Sequence, residues 1–309
     1  MTEFPQTAWK DYELIDSGNG EKLERYGSYV LRRPEPKALW APELDDASWN
    51  RMAHTSFTPG AGFGKAGKED SGTWNRLHKM EDQWYIDYRS AAQKGLSFNL
   101  RLGLTSFKHV GVFPEQAPNW EYIYAQTKRI AQATGRRPRI LNLFAYTGGA
   151  SLAAASAGAE VTHLDSVRQV VNWAHGNMEN SRLDGIHWVV EDAMKFAARE
   201  AKRGHLYDGI ILDPPAYGHG PDGEKWKLDE CLFKMLQTVG AILSPENSFL
   251  VLNLYSNGFS AALGETVLCE ALKTRLSGAP AGKMESGELA LRDRYGKVLP
   301  LSIFVRLER

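Results

Sequence analysis

Four short segments carry residue types suited to chemistry, and each falls where an apolar run ends: Phe144-Ala145-Tyr146-Thr147-Gly148-Gly149, Asp165, Asp192, and Asp213-Pro214-Pro215-Ala216-Tyr217. The first is a turn with little side-chain bulk, which lets a ligand lie against backbone N–H groups at the start of the next helix. A diphosphate-binding fingerprint needs GxGxxG, whereas here Gly148-Gly149 is followed by Ala150 and Ser151, so a dinucleotide dehydrogenase is disfavoured. Asp165 comes 17 residues after Gly148. A carboxylate at such a strand tip can accept from both hydroxyls of a ribose, or it can cap the helix that begins near Val167. Asp192 is open to the same two readings, beside a nucleotide base or as an N-cap. In the fourth segment the prolines cannot donate and hold φ fixed, so they stop a ladder and present carbonyl oxygens outward. With Asp213 they form an acceptor cluster, and Tyr217 can stack on a flat substrate; loop punctuation is the plainer alternative.

The elements that must position these residues follow from residue 139 onward, where short apolar runs alternate with helical patterns. Strands are expected at 139–146, 160–165, 186–191, 207–213 and 248–256, and helices at 149–158, 167–181, 193–204, 227–243 and near 260–276. Successive β-α units predict a parallel sheet wrapped by helices on both faces, with the four segments at the carboxyl ends of its strands. Two further strands, 283–293 and 300–308, joined across Arg294-Tyr295-Gly296-Lys297, predict an antiparallel hairpin at the sheet's end. Residues 1–107 read differently. They are rich in Gly, Pro, Trp and Tyr, with extended candidates YELIDSG, KLERYGSYVLRR and WYIDYR and a glycine-rich stretch at 58–72, which predicts a small β-rich N-terminal domain. Residues 108–309 form the second domain.

Composition narrows the function classes. The chain of 309 residues is 43% hydrophobic and 24% charged, as in ordinary globular proteins. Its net charge is zero, with 15 basic and 15 acidic side chains before residue 111, so no basic excess marks a phosphate-gripping surface. No window holds about 18 uninterrupted apolar residues, and the first residues lack a basic and an apolar signal region, which predicts a cytoplasmic protein. The two cysteines, Cys231 and Cys269, lie in helical patterns with no ligand cluster, so neither a disulfide framework nor a metal site is expected.

The series NLFAYTGG, LD, ED and DPPAY, with the closing hairpin, resembles the class I S-adenosylmethionine-dependent methyltransferases. Within these it is similar to the family of bacterial large-subunit ribosomal RNA methyltransferases acting on cytosine C5 or guanine N7. The likeness runs over about residues 105–309 and includes Ser106–Gln116, an aromatic followed by an acid and Gln ahead of a helix. It implies S-adenosyl-L-methionine as cofactor, RNA as substrate, and a Rossmann-like sheet. The implied cofactor wall is Phe113, Gln116, Phe144, Ala145, Tyr146, Thr147, Gly148, Asp165, Ser166, Asp192, Ala193 and Asp213. The implied catalytic segment is Asp213, Pro214, Pro215 and Tyr217. Transfer to a pyrimidine C5 needs a covalent thiol, normally in the loops after the fourth or fifth strand. Those loops carry Ala216 and Leu254-Tyr255-Ser256 instead, so a nitrogen acceptor is favoured. Rival readings are a small-molecule or protein methyltransferase and a non-catalytic RNA-binding module on the same fold.

Overall fold

The computed structural model describes residues 1–64, 70–255, 258–276 and 282–309. Ser256 and residues 65–69 of the glycine-rich stretch lie outside the described residues.

The chain opens with β1 (Thr2–Glu3) and then forms a five-stranded sheet from β2 (Tyr12–Gly18), β3 (Glu21–Tyr26), β4 (Tyr29–Pro34), β5 (Thr55–Pro59) and β6 (Gly72–Arg76). Helix α1 (Asp46–Met52) is inserted before β5, and β7 (Gln83–Arg89) with β8 (Ser97–Gly103) makes a separate hairpin. The expected run KLERYGSYVLRR is two strands, not one, because Gly27 takes a left-handed φ of 60° and turns β3 back onto β4.

A short 3-10 turn, Pro114–Gln116, leads into α2 (Ala117–Thr134). Then follow β9 (Arg139–Leu143), α3 (Gly149–Ser156), β10 (Glu160–Asp165), α4 (Arg168–Asn180), β11 (Ile186–Val190), α5 (Ala193–Arg203) and β12 (Gly209–Leu212). A two-stranded ribbon, β13 (Tyr217–His219) and β14 (Lys225–Lys227), precedes α6 (Leu228–Ile242), β15 (Phe249–Leu254), α7 (Ala261–Leu276), β16 (Lys283–Arg292) and β17 (Val298–Glu308). The large sheet has the order β1-β16-β17-β15-β12-β9-β10-β11. Its five strands from β15 to β11 run parallel, and β17 runs antiparallel to both neighbours, so the expected parallel sheet with an antiparallel end is what the chain forms.

These strands read as continuous apolar runs because both faces are covered. Ile140, Ile211 and Val251 pack on the side of α2, α3 and the N-terminal strands, while Leu141, Leu212 and Leu252 pack with residues of α5, α6 and α7. The N-terminal region shares the first of these cores. Trp120 of α2 makes edge contacts with Trp9, Tyr88 and Phe98 at ring distances of 5.9, 5.1 and 5.3 Å. β1 reaches further still, pairing in parallel with β16 at the edge of the central sheet. The first parallel strand ends at Leu143 rather than at residue 146, since Phe144 and Tyr146 take left-handed φ values of 57° and 50° that no ladder accommodates. Among the described residues no helix is long and apolar enough to cross a membrane.

Candidate active site

The carboxyl ends of β9, β12 and β15 open onto a cleft of about 570 Å³ including its mouth. Its floor is the turn after β9. Here three residues in five, Phe144, Tyr146 and Gly148, hold positive φ, and for the two aromatic residues that conformation costs on the order of 1–3 kcal/mol each. Side chains from elsewhere hold the turn in place. Thr147 Oγ1 donates to the Gly111 carbonyl at 2.7 Å, Asn177 Nδ2 donates to the Thr147 carbonyl at 2.9 Å, and the Tyr146 N–H donates to Asp165 Oδ2 at 3.0 Å. Beneath it, Asn142 Nδ2 donates to Ser151 Oγ at 2.9 Å, and Ser151 Oγ lies 2.9 Å from Nδ1 of His163, whose burial lowers its pKa to about 3 and keeps the ring neutral. The two glycines serve helix packing as well as access. A Cβ on Gly149 would stand 3.0 Å from the Trp120 ring, and one on Gly148 3.2 Å from Ala174.

The roof comes from the segment ahead of α2. Phe113 lies 5.4 Å from the Tyr146 ring, 5.3 Å from Tyr255 and 4.8 Å from His109. Gln116 Nε2 donates to the Tyr255 hydroxyl at 2.9 Å and accepts at Oε1 from Asn119. His109 is oriented in turn by Asp70, its Nε2 3.0 Å from Oδ2, so the N-terminal region contacts the residue that packs on Phe113.

At the end of β12, Asp213 lines the cleft. Burial, reinforced by the nearby Glu115 carboxyl, pushes its pKa up to about 7, against the pull of Asn253 Nδ2, which donates to Oδ1 at 2.8 Å. Ser302 Oγ donates to Asn253 Oδ1 at 3.0 Å, which leaves the amide a single orientation toward the carboxylate. Glu115 is itself buried, and that burial raises its pKa.

Eight of the sequence-predicted residues meet in this cleft: Phe113, Gln116, Phe144, Ala145, Tyr146, Thr147, Gly148 and Asp213. The others stand outside its wall. Asp165 sits behind the turn, where Oδ1 also accepts from the Val167 N–H at 3.0 Å; each oxygen keeps a lone pair, and burial raises its pKa. Ser166 and Ala193 flank the strand tips without reaching the cleft. Asp192 caps α5, its Oδ1 accepting from the Lys195 N–H at 2.8 Å. The carbonyl of Pro215, expected to face a ligand, accepts instead from Trp226 Nε1 at 2.7 Å, while Pro214 is buried behind it and Tyr217 belongs to the ribbon. Asn142 and Asn253, which sequence reasoning missed, carry a shared signal. Each is the one amide among the apolar residues of its strand, in RILNL after the opening Arg139 and in FLVLNL, and a buried polar group there needs a partner.

Backbone N–H groups at a helix start, a strained turn without bulk, and a carboxylate at a strand end suit a nucleoside joined to an amino acid better than a diphosphate. A family model described as S-adenosylmethionine-dependent methyltransferase matches residues 83–271. The chain is similar to a solved S-adenosylmethionine-dependent methyltransferase from Agrobacterium tumefaciens, with 38% identity, a TM-score of 0.85, and coverage of 99% of this chain and 93% of that one. It is also similar to the ribosomal RNA large subunit methyltransferase K/L of Magnetococcus marinus, 31% identical over 160 residues, or 50% of this chain and 20% of that protein. The protein of the same name from Syntrophotalea carbinolica is 32% identical over 140 residues, 42% of this chain and 18% of its own length. The chain thus spans about a fifth of the length of these curated relatives.

Proposed function

Because this chain belongs to the S-adenosylmethionine-dependent methyltransferases, we propose that it methylates a nitrogen of a base in RNA, with ribosomal RNA as the substrate and the cytoplasm as its place of action. The RNA assignment is supported by the names of the curated relatives, and the nitrogen assignment by Asp213. S-adenosyl-L-methionine, when bound, supplies a methyl group already activated on sulfur, so the protein's task is chiefly alignment. In this reading the turn Phe144–Gly148, with Phe113 and Gln116, holds the cofactor, Asp165 takes its ribose and Asp192 lies toward its base. Asp213 accepts a hydrogen bond from the acceptor amine, draws its lone pair into line, and takes the proton that the methylated nitrogen gives up. A carboxyl that titrates at about 7 suits that exchange at neutral pH. Pro214 and Pro215 set the approach of the loop, and Tyr217 packs toward the acceptor base. Cytosine C5 chemistry lacks its nucleophile: Cys231 lies on α6 and Cys269 on α7, and neither lines the cleft. Residues 1–107 act as the small domain, flanking residues 108–309 on the acceptor side through Asp70 and through Arg33, whose Nη1 donates to the Lys108 carbonyl at 2.9 Å.

The single observation that carries this reading is an enclosed carboxyl on the cofactor cleft, fixed by an amide, with no thiol beside it. Tritium transfer from labelled cofactor into RNA, protein and metabolite fractions, followed by nucleoside analysis, tests it. Label on a base nitrogen in RNA is expected. Label confined to protein or metabolites, or on a pyrimidine carbon, contradicts it.

A further inference from the structure

The ribbon β13–β14 follows directly on Asp213-Pro214-Pro215 and has two unlike faces. Its register pairs Tyr217 with Lys227, Gly218 with Trp226 and His219 with Lys225, and alternate residues of a strand point to opposite sides. One face buries Trp226, which donates to the Pro215 carbonyl and lies 4.8 Å from the Phe144 ring. The other carries Tyr217, His219, Lys225 and Lys227, of which the last three are exposed. The Tyr217 hydroxyl and His219 Nε2 are 3.1 Å apart and hold the two rings edge to face.

The acids near the turn do not cancel the lysines. Asp222 and Glu224 both pair with Lys195 of α5. Lys227 pairs with Glu230 at 2.7 Å and also feels the charge of Asp229, but both acids are exposed, and in water such pairing is worth little and yields to a phosphate. The outward face therefore offers two cations and two rings on one rigid element.

We propose that this face is where the single-stranded RNA flanking the acceptor base docks, with Lys225 and Lys227 against phosphates and His219 against a neighbouring base. This rests on the RNA reading above. Lysines supply sequence-independent backbone contacts, and rings tolerate any base. The anchor through Trp226 to Pro215 and Phe144 ties the docked strand to the two loops that meet acceptor and cofactor.

Fluorescence anisotropy of a labelled 12-nucleotide single-stranded RNA of mixed sequence, titrated with the full chain over a salt series, tests it. Each phosphate contact on a single strand contributes about 0.7 to the slope of log affinity against log salt, so Lys225→Gln/Lys227→Gln should flatten that slope by about 1.4. Affinity for S-adenosylhomocysteine should stay within twofold, since neither lysine lines the cleft. An unchanged slope in the double variant overturns the ribbon's role alone. A flat titration with the unsubstituted chain overturns the RNA reading, and the ribbon proposal with it.

Discussion

The turn after β9 and the loop after β12 leave neighbouring strands at the same edge of the sheet, yet they are built in opposite ways. The first offers the cleft a turn of left-handed backbone. Its left-handed residues are fixed in advance by hydrogen bonds from or to Thr147, Asn177 and Asp165. The second presents one carboxyl whose charge changes near neutrality, steadied by a single amide from the next strand. On the function proposed above, cofactor recognition is a matter of shape already formed, and acceptor recognition a matter of protonation.

Three substitutions sharpen this contrast. The largest effect is on stability. The Asp213 carboxyl binds a proton more tightly in the native chain, at about 7, than in the unfolded one, near the ordinary aspartate value of 3.8. Its contribution is therefore full below about pH 4 and lost as pH rises through 7. Asp213→Asn, which does not titrate, should gain on the unsubstituted chain by up to about 4 kcal/mol between pH 4 and 8, at 1.36 kcal/mol per pKa unit. Denaturant melts at both pH values read this, and parallel curves would contradict it. Next comes the turn. Gly148→Ala forces a Cβ into φ 95° and toward Ala174, at a cost of about 1–2 kcal/mol. A melting temperature lower by a few degrees and weaker S-adenosylhomocysteine binding, with the pH dependence of transfer unmoved, is expected; a shifted pH profile would blur the division between the loops. The smallest effect is on Asn253→Leu. Removing the donor that holds the Asp213 charge should move the acid limb of the rate profile upward by about one unit. A uniformly slower enzyme with the same inflection would leave Asn253 a packing residue only.

How far these features were legible in the sequence depends on whether the cause is local. Strand β10, expected at 160–165, follows from residues within its own length, and so does the closing hairpin across Arg294–Lys297. The shortened β9 did not, because Phe144 and Tyr146 favour extended structure on their own, and the turn is held by distant partners, Asp165 accepting from the Tyr146 N–H and Gly111 from Thr147 Oγ1. Asn253 and Ser302 meet Asp213 only after three strands come side by side. The Pro215 carbonyl looked free for a ligand until Trp226, 11 residues on, folded back to take it. β1 pairs with a strand more than 280 residues away, which no periodicity in its two residues announces.

The most direct test of the division between the loops is Asp213→Ala, measured twice: S-adenosylhomocysteine binding by calorimetry, and single-turnover methyl transfer to RNA. Binding within about threefold of the unsubstituted chain, together with transfer slowed by roughly 100-fold or more, is the predicted result, in line with the 10²–10⁴-fold typical of a positioned acid or base. Transfer at the original rate, or binding lost in step with it, would contradict the account.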